Sequence, residues 1–128
     1  MSSHDPASAD VKHKKILIAD DDPGILDAMT MMLEDEGYEV ETTVDGATVQ
    51  DMRETLPDLL LLDIWMSGMD GREICKRLKR QELTKRIPII IISANKDTDR
   101  FAKEAGADDF IAKPFEMDDL LAKVARYL

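Results

Sequence analysis

A chain of 128 residues, 44% of them apolar, has room for one domain with a real core. A net charge of −10 argues against a nucleic-acid-binding surface spread over the domain, and the single Cys75 excludes an internal disulfide or a thiolate metal cluster. No stretch has the apolar length to cross a membrane and no apolar leader opens the chain, so the reading is a cytoplasmic protein.

Residues 1–12 are polar and rich in small side chains, which reads as a disordered tail ahead of one domain over 13–128. Lys15 to Ala19 is a short apolar run that ends in Asp20, Asp21 and Asp22. Pro23 suits the first position of a helix with Asp22 as its N-cap. Ile25, Met29, Met32 and Leu33 have helical spacing, and Gly37 is placed to stop that helix. Tyr38 to Thr43 alternates as a strand, Asp45-Gly46 turns the chain, and a weakly amphipathic helix runs from Ala47 to Thr55. Leu59 to Leu62 forms an unbroken apolar run closed by Asp63, the pattern of a strand buried on both faces of a parallel sheet. Gly68 and Gly71 mark a loop, and a helix from about Gly71 to Gln81 turns Ile74 and Leu78 inward, with Cys75 packed beside them. Pro88 to Ile92 is a second fully buried strand, leading into Ser93-Ala94-Asn95. Thr98 to Ala105 is a helix stopped by Gly106. Asp109 to Ala112 is a strand ending at Lys113-Pro114, and Glu116 to Leu128 is a helix with Met117, Leu120, Leu121, Val124 and Leu128 on one stripe.

Strict alternation of five strands with helices implies an α/β fold with a doubly wound parallel sheet, most often in the order 2-1-3-4-5. In such a sheet all strands point the same way, so the polar residues that end them share one edge. Asp20, Asp21, Asp63, Ser93 and Lys113 would then meet. Converging carboxylates repel unless a cation sits among them. Hard oxygen donors with no thiolate or imidazole favour Mg²⁺. Mg²⁺ beside a lysine and a hydroxyl is an arrangement for phosphoryl transfer, with Asp63 as the nucleophile that takes the group.

Other polar residues have plainer readings. Asp22 is a helix cap rather than a ligand, and Asp70 and Asp109 read as turn or surface residues. Lys76, Arg77, Lys79, Arg80, Lys85 and Arg86 read as a solvated face, part of which complements a helix C-terminus. His4 and His13, in or near the tail, lack the surroundings of a phosphorylated histidine. A calcium loop starting at Asp20 fails because its twelfth position is Met31.

Four segments together carry a resemblance: Ile16 to Asp22, Pro57 to Asp63 with Gly68-Met-Asp-Gly71, Ser93-Ala94, and Gly106 to Phe115. Over roughly Lys14 to Leu128 the sequence resembles the receiver domain of two-component response regulators. The resemblance implies a flavodoxin-like three-layer sandwich. It also implies that Asp63 accepts a phosphoryl group from the phosphohistidine of a sensor histidine kinase or a histidine phosphotransfer protein. Asp20 and Asp21 match the acidic pair that holds Mg²⁺ with Asp63, and the backbone carbonyl of Trp65 is a further implied ligand. Ser93 matches the switch hydroxyl, Phe110 the switch aromatic and Lys113 the phosphoryl-binding lysine, with a cis Lys113-Pro114 bond. On this reading the chain is a signalling switch rather than an enzyme. It would act on a downstream effector through the face of its fourth helix, fifth strand and fifth helix, with no nucleic acid bound directly and no membrane insertion.

Two positions depart from the family pattern. Ser67 stands where the family usually has Pro, and Trp65 is bulky for a residue two past the acceptor. The Trp65 ring has two readings, a shield over the phosphoryl group or a surface contact for a partner. Two other functions compete. A haloacid-dehalogenase-type phosphatase would use Asp20-x-Asp22, but Asp22 precedes proline, Gly24 stands where Thr or Val is expected, and the chain has no room for a cap domain. A flavodoxin needs a first loop that cradles phosphate, which three aspartates would repel.

Overall fold

The computed structural model describes residues 14–50, 56–66, 68–94 and 96–128. Within them run β1 (Lys15–Ala19), α1 (Pro23–Asp35), β2 (Glu39–Thr43), α2 (Gly46–Gln50), β3 (Leu59–Asp63), α3 (Gly71–Arg80), β4 (Ile89–Ser93), α4 (Thr98–Ala105), β5 (Asp109–Ala112) and α5 (Met117–Tyr127). The sheet order is β2-β1-β3-β4-β5, and every neighbouring pair is parallel. This is the doubly wound order expected from the alternation. The expected tail lies outside the described residues, as do Ser67, Asn95 and the last turns of the helix after Asp45.

Alternation along the strands divides the core into two layers. Ile16, Ile18, Leu59, Leu61, Ile90, Ile92 and Ile111 pack with Leu26, Met29 and Leu33 of α1 and with Leu120 and Val124 of α5. Leu17, Leu60, Leu62, Ile89 and Ile91 pack the other way, against Val49, Ile74, Cys75, Leu78, Ala102 and Ala105. Leu59 to Leu62 and Ile89 to Ile92 are fully buried. Helices cover both faces of the central strands, which is why their sequences are apolar throughout rather than alternating. Burying each such side chain stabilises the fold by roughly 1.5–3 kcal/mol.

The ends of α1 follow from its sequence. Asp22 Oδ1 accepts from the backbone N–H groups of Gly24 at 2.9 Å and Ile25 at 3.3 Å, so Asp22 is the N-cap. At the other end the N–H of Gly37 donates to Glu34 at 2.9 Å and that of Tyr38 to Leu33 at 3.2 Å. Gly37 has φ of 99°, a left-handed conformation that glycine adopts without a side-chain clash. Within α1 the inward stripe is Leu26, Met29 and Leu33, while Ile25 and Met32 sit at its margin.

Two expectations change. The segment after Asp63 is not a plain loop: Trp65–Met66 and Met69–Asp70 pair as a short antiparallel ribbon, with Met66 fully buried. Asp109 is not a surface residue. It opens β5 with its side chain 12% exposed, and Lys123, Arg126 and Tyr127 of α5 hold its carboxylate.

Candidate functional site

The site forms where β1, β3 and β5 end. Side chains two apart on a strand point the same way. Asp20 continues the phase of Ile16 and Ile18, Asp63 that of Leu59 and Leu61, and Lys113 that of Ile111. All three therefore face the α1–α5 side of the sheet edge. Parallel register keeps the strand ends level, with Ala19 beside Leu62 and Asp63 beside Ile92.

Carboxylate oxygens of Asp20, Asp21 and Asp63 lie within 4.8 Å of one another. Asp20 is fully buried. Its Oδ1 accepts the backbone N–H of Asp22 at 3.0 Å, and its Oδ2 accepts from Lys113 Nζ at 2.8 Å. Lys113 Nζ also stands 3.7 Å from Asp63 Oδ2. Asp21 is exposed and opens the cluster to solvent.

The electrostatics follow from this crowding. Burial, then the neighbouring Asp20 charge, pushes the Asp63 carboxyl up to about 6, although Lys113 and the Ile64 N–H pull the other way. Burial would lower the Lys113 ammonium, but the hydrogen bond to Asp20 and the Asp63 and Asp20 charges leave it raised. The Lys113 ammonium thus pairs with two of the three clustered carboxylates, Asp20 and Asp63. An excess of negative charge over hard oxygens, with no sulfur or imidazole donor in the cluster among the described residues, suits a divalent cation such as Mg²⁺.

Ser93 ends β4 in the phase of Ile89 and Ile91, on the opposite side of the sheet from Asp63, and is 4% exposed. Lys113 N–H donates to the Ser93 carbonyl at 2.8 Å, and Thr98 Oγ1 donates to the same oxygen at 3.5 Å. Phe110 is half-buried on the same side as Ser93, with Lys123 Nζ 5.2 Å from its ring centre. The Lys113-Pro114 bond is cis, as the resemblance implied. Trp65 is 57% exposed on the ribbon just past Asp63.

A sequence model of the response regulator receiver domain matches residues 16–125, nearly the whole described chain. The chain belongs to that family. Among relatives of this receiver domain, the DNA-binding dual master transcriptional regulator RpaA of Synechocystis is 40% identical over 117 residues. The match takes in 89% of this chain and 48% of the relative, and this chain spans about half the length of the curated relatives it matches. The chemotaxis response regulator CheY4 of Vibrio cholerae superposes with a TM-score of 0.78 at 32% identity, covering 91% of this chain and 99% of that one. The receiver domain of sensor histidine kinase PA1611 from Pseudomonas aeruginosa superposes at 0.77 with 28% identity, covering 90% and 97%. That structure has a magnesium ion coordinated in its active site cleft.

The fold gives the phosphatase alternative little support. Asp22 is engaged in capping α1, and Asp20 is buried beneath Lys113. Two residues beside the site have roles that the sequence does not reveal, although Gly71 reads as a turn and motif residue. Gly71 is one: its N–H donates to the Ile64 carbonyl, and a β-carbon there would overlap the Asp63 carbonyl oxygen and lie 2.9 Å from Ile64 Cα. Arg72 is the other. It forks onto Asp70, which turns out to be the N-cap of α3. The pair Asp70-x-Arg72 at a helix start was the available signal. Of the basic stretch, Lys79 is not simply solvated, because it donates to Asp108 at 2.7 Å and to the Ile87 carbonyl at 2.9 Å. Among the described residues no helix is long and apolar enough to cross a membrane.

Proposed function

We propose that this receiver domain is a cytoplasmic phosphorylation switch whose acceptor is Asp63. The observation that carries the reading is the convergence of three carboxylates within 4.8 Å of one another, with the Lys113 ammonium 2.8 Å from Asp20 and 3.7 Å from Asp63. The donor is a phosphohistidine on a sensor kinase or a histidine phosphotransfer protein. Asp20, Asp21 and Asp63 hold Mg²⁺, with the Trp65 carbonyl as a further ligand. When bound, the ion neutralises phosphoryl oxygens and the carboxylates around them.

The chain's own groups do the rest. An ionised Asp63 oxygen attacks phosphorus, the phosphorus–nitrogen bond of the donor breaks, and the imidazole departs. Lys113 pairs with a phosphoryl oxygen, partly exchanging its contact with Asp20. Ser93, which ends β4 in the opposite phase, turns toward the acceptor at the sheet edge and donates its hydroxyl to another. Drawing Ser93 inward frees space that Phe110 fills, and the face of α4, β5 and α5 changes shape for a downstream effector. This is a population shift that needs only a few kcal/mol of differential contact. The catalysis is limited to the domain's own phosphorylation and dephosphorylation. The DNA-binding property in the names of its regulator relatives belongs to those longer proteins. A domain of net charge −10 is not itself a nucleic-acid surface.

The test is exposure to Mg²⁺ and acetyl phosphate, read by intact mass and by mapping the modified residue. One phosphoryl group is expected on Asp63, none in Asp63→Asn, and slower uptake in Lys113→Ala. Modification of the Asp63→Asn protein at the parent's rate would overturn the assignment. Steady hydrolysis of a phosphate monoester, lost in Asp20→Asn but kept in Asp63→Asn, would replace it with a phosphatase.

A further inference from the structure

Arg72 stands in the first turn of α3, and its side chain is fixed from three directions. Asp70 accepts from the Arg72 backbone N–H at 2.9 Å, from Nε at 3.0 and 3.1 Å, and from a terminal nitrogen at 2.7 Å. A two-oxygen fork of this kind sets the plane of a guanidinium as well as its position. The guanidinium carbon lies 4.4 Å from the ring centre of Phe101 in α4 and 6.0 Å from that of Trp65. Both distances are within reach of cation–π attraction. Asp70 is also the residue paired with Trp65 across the ribbon, so the fork holds the cation beside the ring of its own partner strand.

The chain closes this arrangement into a circuit. Trp65 follows Asp63 by two residues. Phe101 belongs to α4, whose first residue, Thr98, bonds the Ser93 carbonyl at 3.5 Å. The acceptor aspartate and the switch serine therefore each lead, through a few residues, to one end of the Trp65–Arg72–Phe101 stack. The Arg72 guanidinium stands between the two rings, within cation–π reach of each.

We propose that Arg72 is a positioning residue that couples α4 to the ribbon after Asp63, so that movement of α4 is passed to Trp65, two residues past the acceptor. The proposal rests on the phospho-acceptor reading and adds a means of regulation to it. When water attacks the phosphorus, the bond from phosphorus to the Asp63 oxygen breaks, and the carboxylate, inorganic phosphate and a proton are released. A partner that shifts α4 would change how readily water reaches that phosphorus.

Trp65 is the only tryptophan, so its fluorescence reports on the stack directly. In the unphosphorylated full chain, acrylamide quenching of Trp65 should rise about 1.5-fold in Arg72→Gln, a modest factor because the ring is already 57% exposed. Phe101→Leu, a change in a different helix, should raise it as well, and should add nothing in the Arg72→Gln background. Loss of label from Asp63 should follow the same pattern, faster in each single variant and no faster in the double. Unchanged quenching in Phe101→Leu, or effects of the two substitutions that simply add, would overturn the coupling. If Asp63 takes no phosphoryl group in any variant, the phospho-acceptor reading fails, while the quenching series still decides whether Arg72 links α4 to the ribbon.

Discussion

Asp63 carries a cost that the rest of the site explains. Its carboxyl is pushed up to about 6, first by burial and then by the Asp20 charge, so the folded protein prefers it protonated. Below the ordinary carboxylate range the group is neutral in folded and unfolded chains alike, and the penalty is absent. Between the ordinary carboxylate value and about 6 the unfolded chain ionises while the folded one stays protonated, and once the folded state ionises as well the metal-free protein has lost up to about 3 kcal/mol relative to a neutral side chain at that position. The side chain keeps 13% of its exposure, so the realised loss falls below that ceiling. Urea unfolding in the presence of a chelator reads the effect. Asp63→Asn should match the parent near pH 4 and exceed its stability by about 1–3 kcal/mol at pH 7.5. Asp70 and Asp109, whose carboxyls are held low by their partners, are present in both proteins and cancel from the comparison. A difference that does not change with pH would refute the penalty.

At the scale of elements, the junction between β3 and α3 is where packing and site meet. The N-terminus of α3 runs so close to the end of β3 that position 71 admits no side chain, because the atoms in the way are backbone. Gly71→Ala must therefore push the two elements apart. A loss of about 1–3 kcal/mol in urea unfolding is expected, with weaker Mg²⁺ affinity because Asp63 sits on the displaced strand. Gly24→Ala is the control. A β-carbon there meets only Asp22 Oδ1, at 3.4 Å, and alanine is the better helix former, so stability should hold or rise. If both substitutions cost the same, the close approach is not the cause. The same junction shows how far a single sequence could be read. The apolar runs, the Asp22-Pro23 start and the Gly37 stop are local signals, and they placed β1, α1, β3 and β4 to within a residue or two. The strand-end acids and Lys113 were legible because a parallel sheet puts every strand end at one edge. Arg72, Gly71 and Asp109 were not. Their meaning lies in Phe101, in the β3 backbone and in Lys123, Arg126 and Tyr127, partners that no local pattern announces. The ribbon after Asp63 was missed because four of its residues lie in two-residue strands too short for a period to appear.

For the whole molecule, the site is a product of folding in a measurable sense. Asp20 and Asp63 come from strands separated by a helix–strand–helix excursion, and only the parallel register of β1 and β3 brings their carboxylates together. The unfolded chain has no such cluster. A divalent ion that binds the folded form alone must stabilise it by mass action, by about 2.7 kcal/mol at a hundred-fold excess over its dissociation constant. For a domain of this size that is a rise in Tm on the order of 5–10 °C. The general screening of a chain with net charge −10 also stabilises it, so Mg²⁺ must be compared with Na⁺ at equal ionic strength. The part of the rise that Na⁺ does not reproduce should shrink sharply in Asp20→Asn and Asp63→Asn, each of which removes one charge from the cluster. It should survive in Asp45→Asn, where the acid instead caps α2 through the N–H of Ala47 at 2.9 Å. Equal Mg²⁺ responses in all three variants would mean that the ion acts on the field of the whole protein, and that the acids at the sheet edge do not form a binding site.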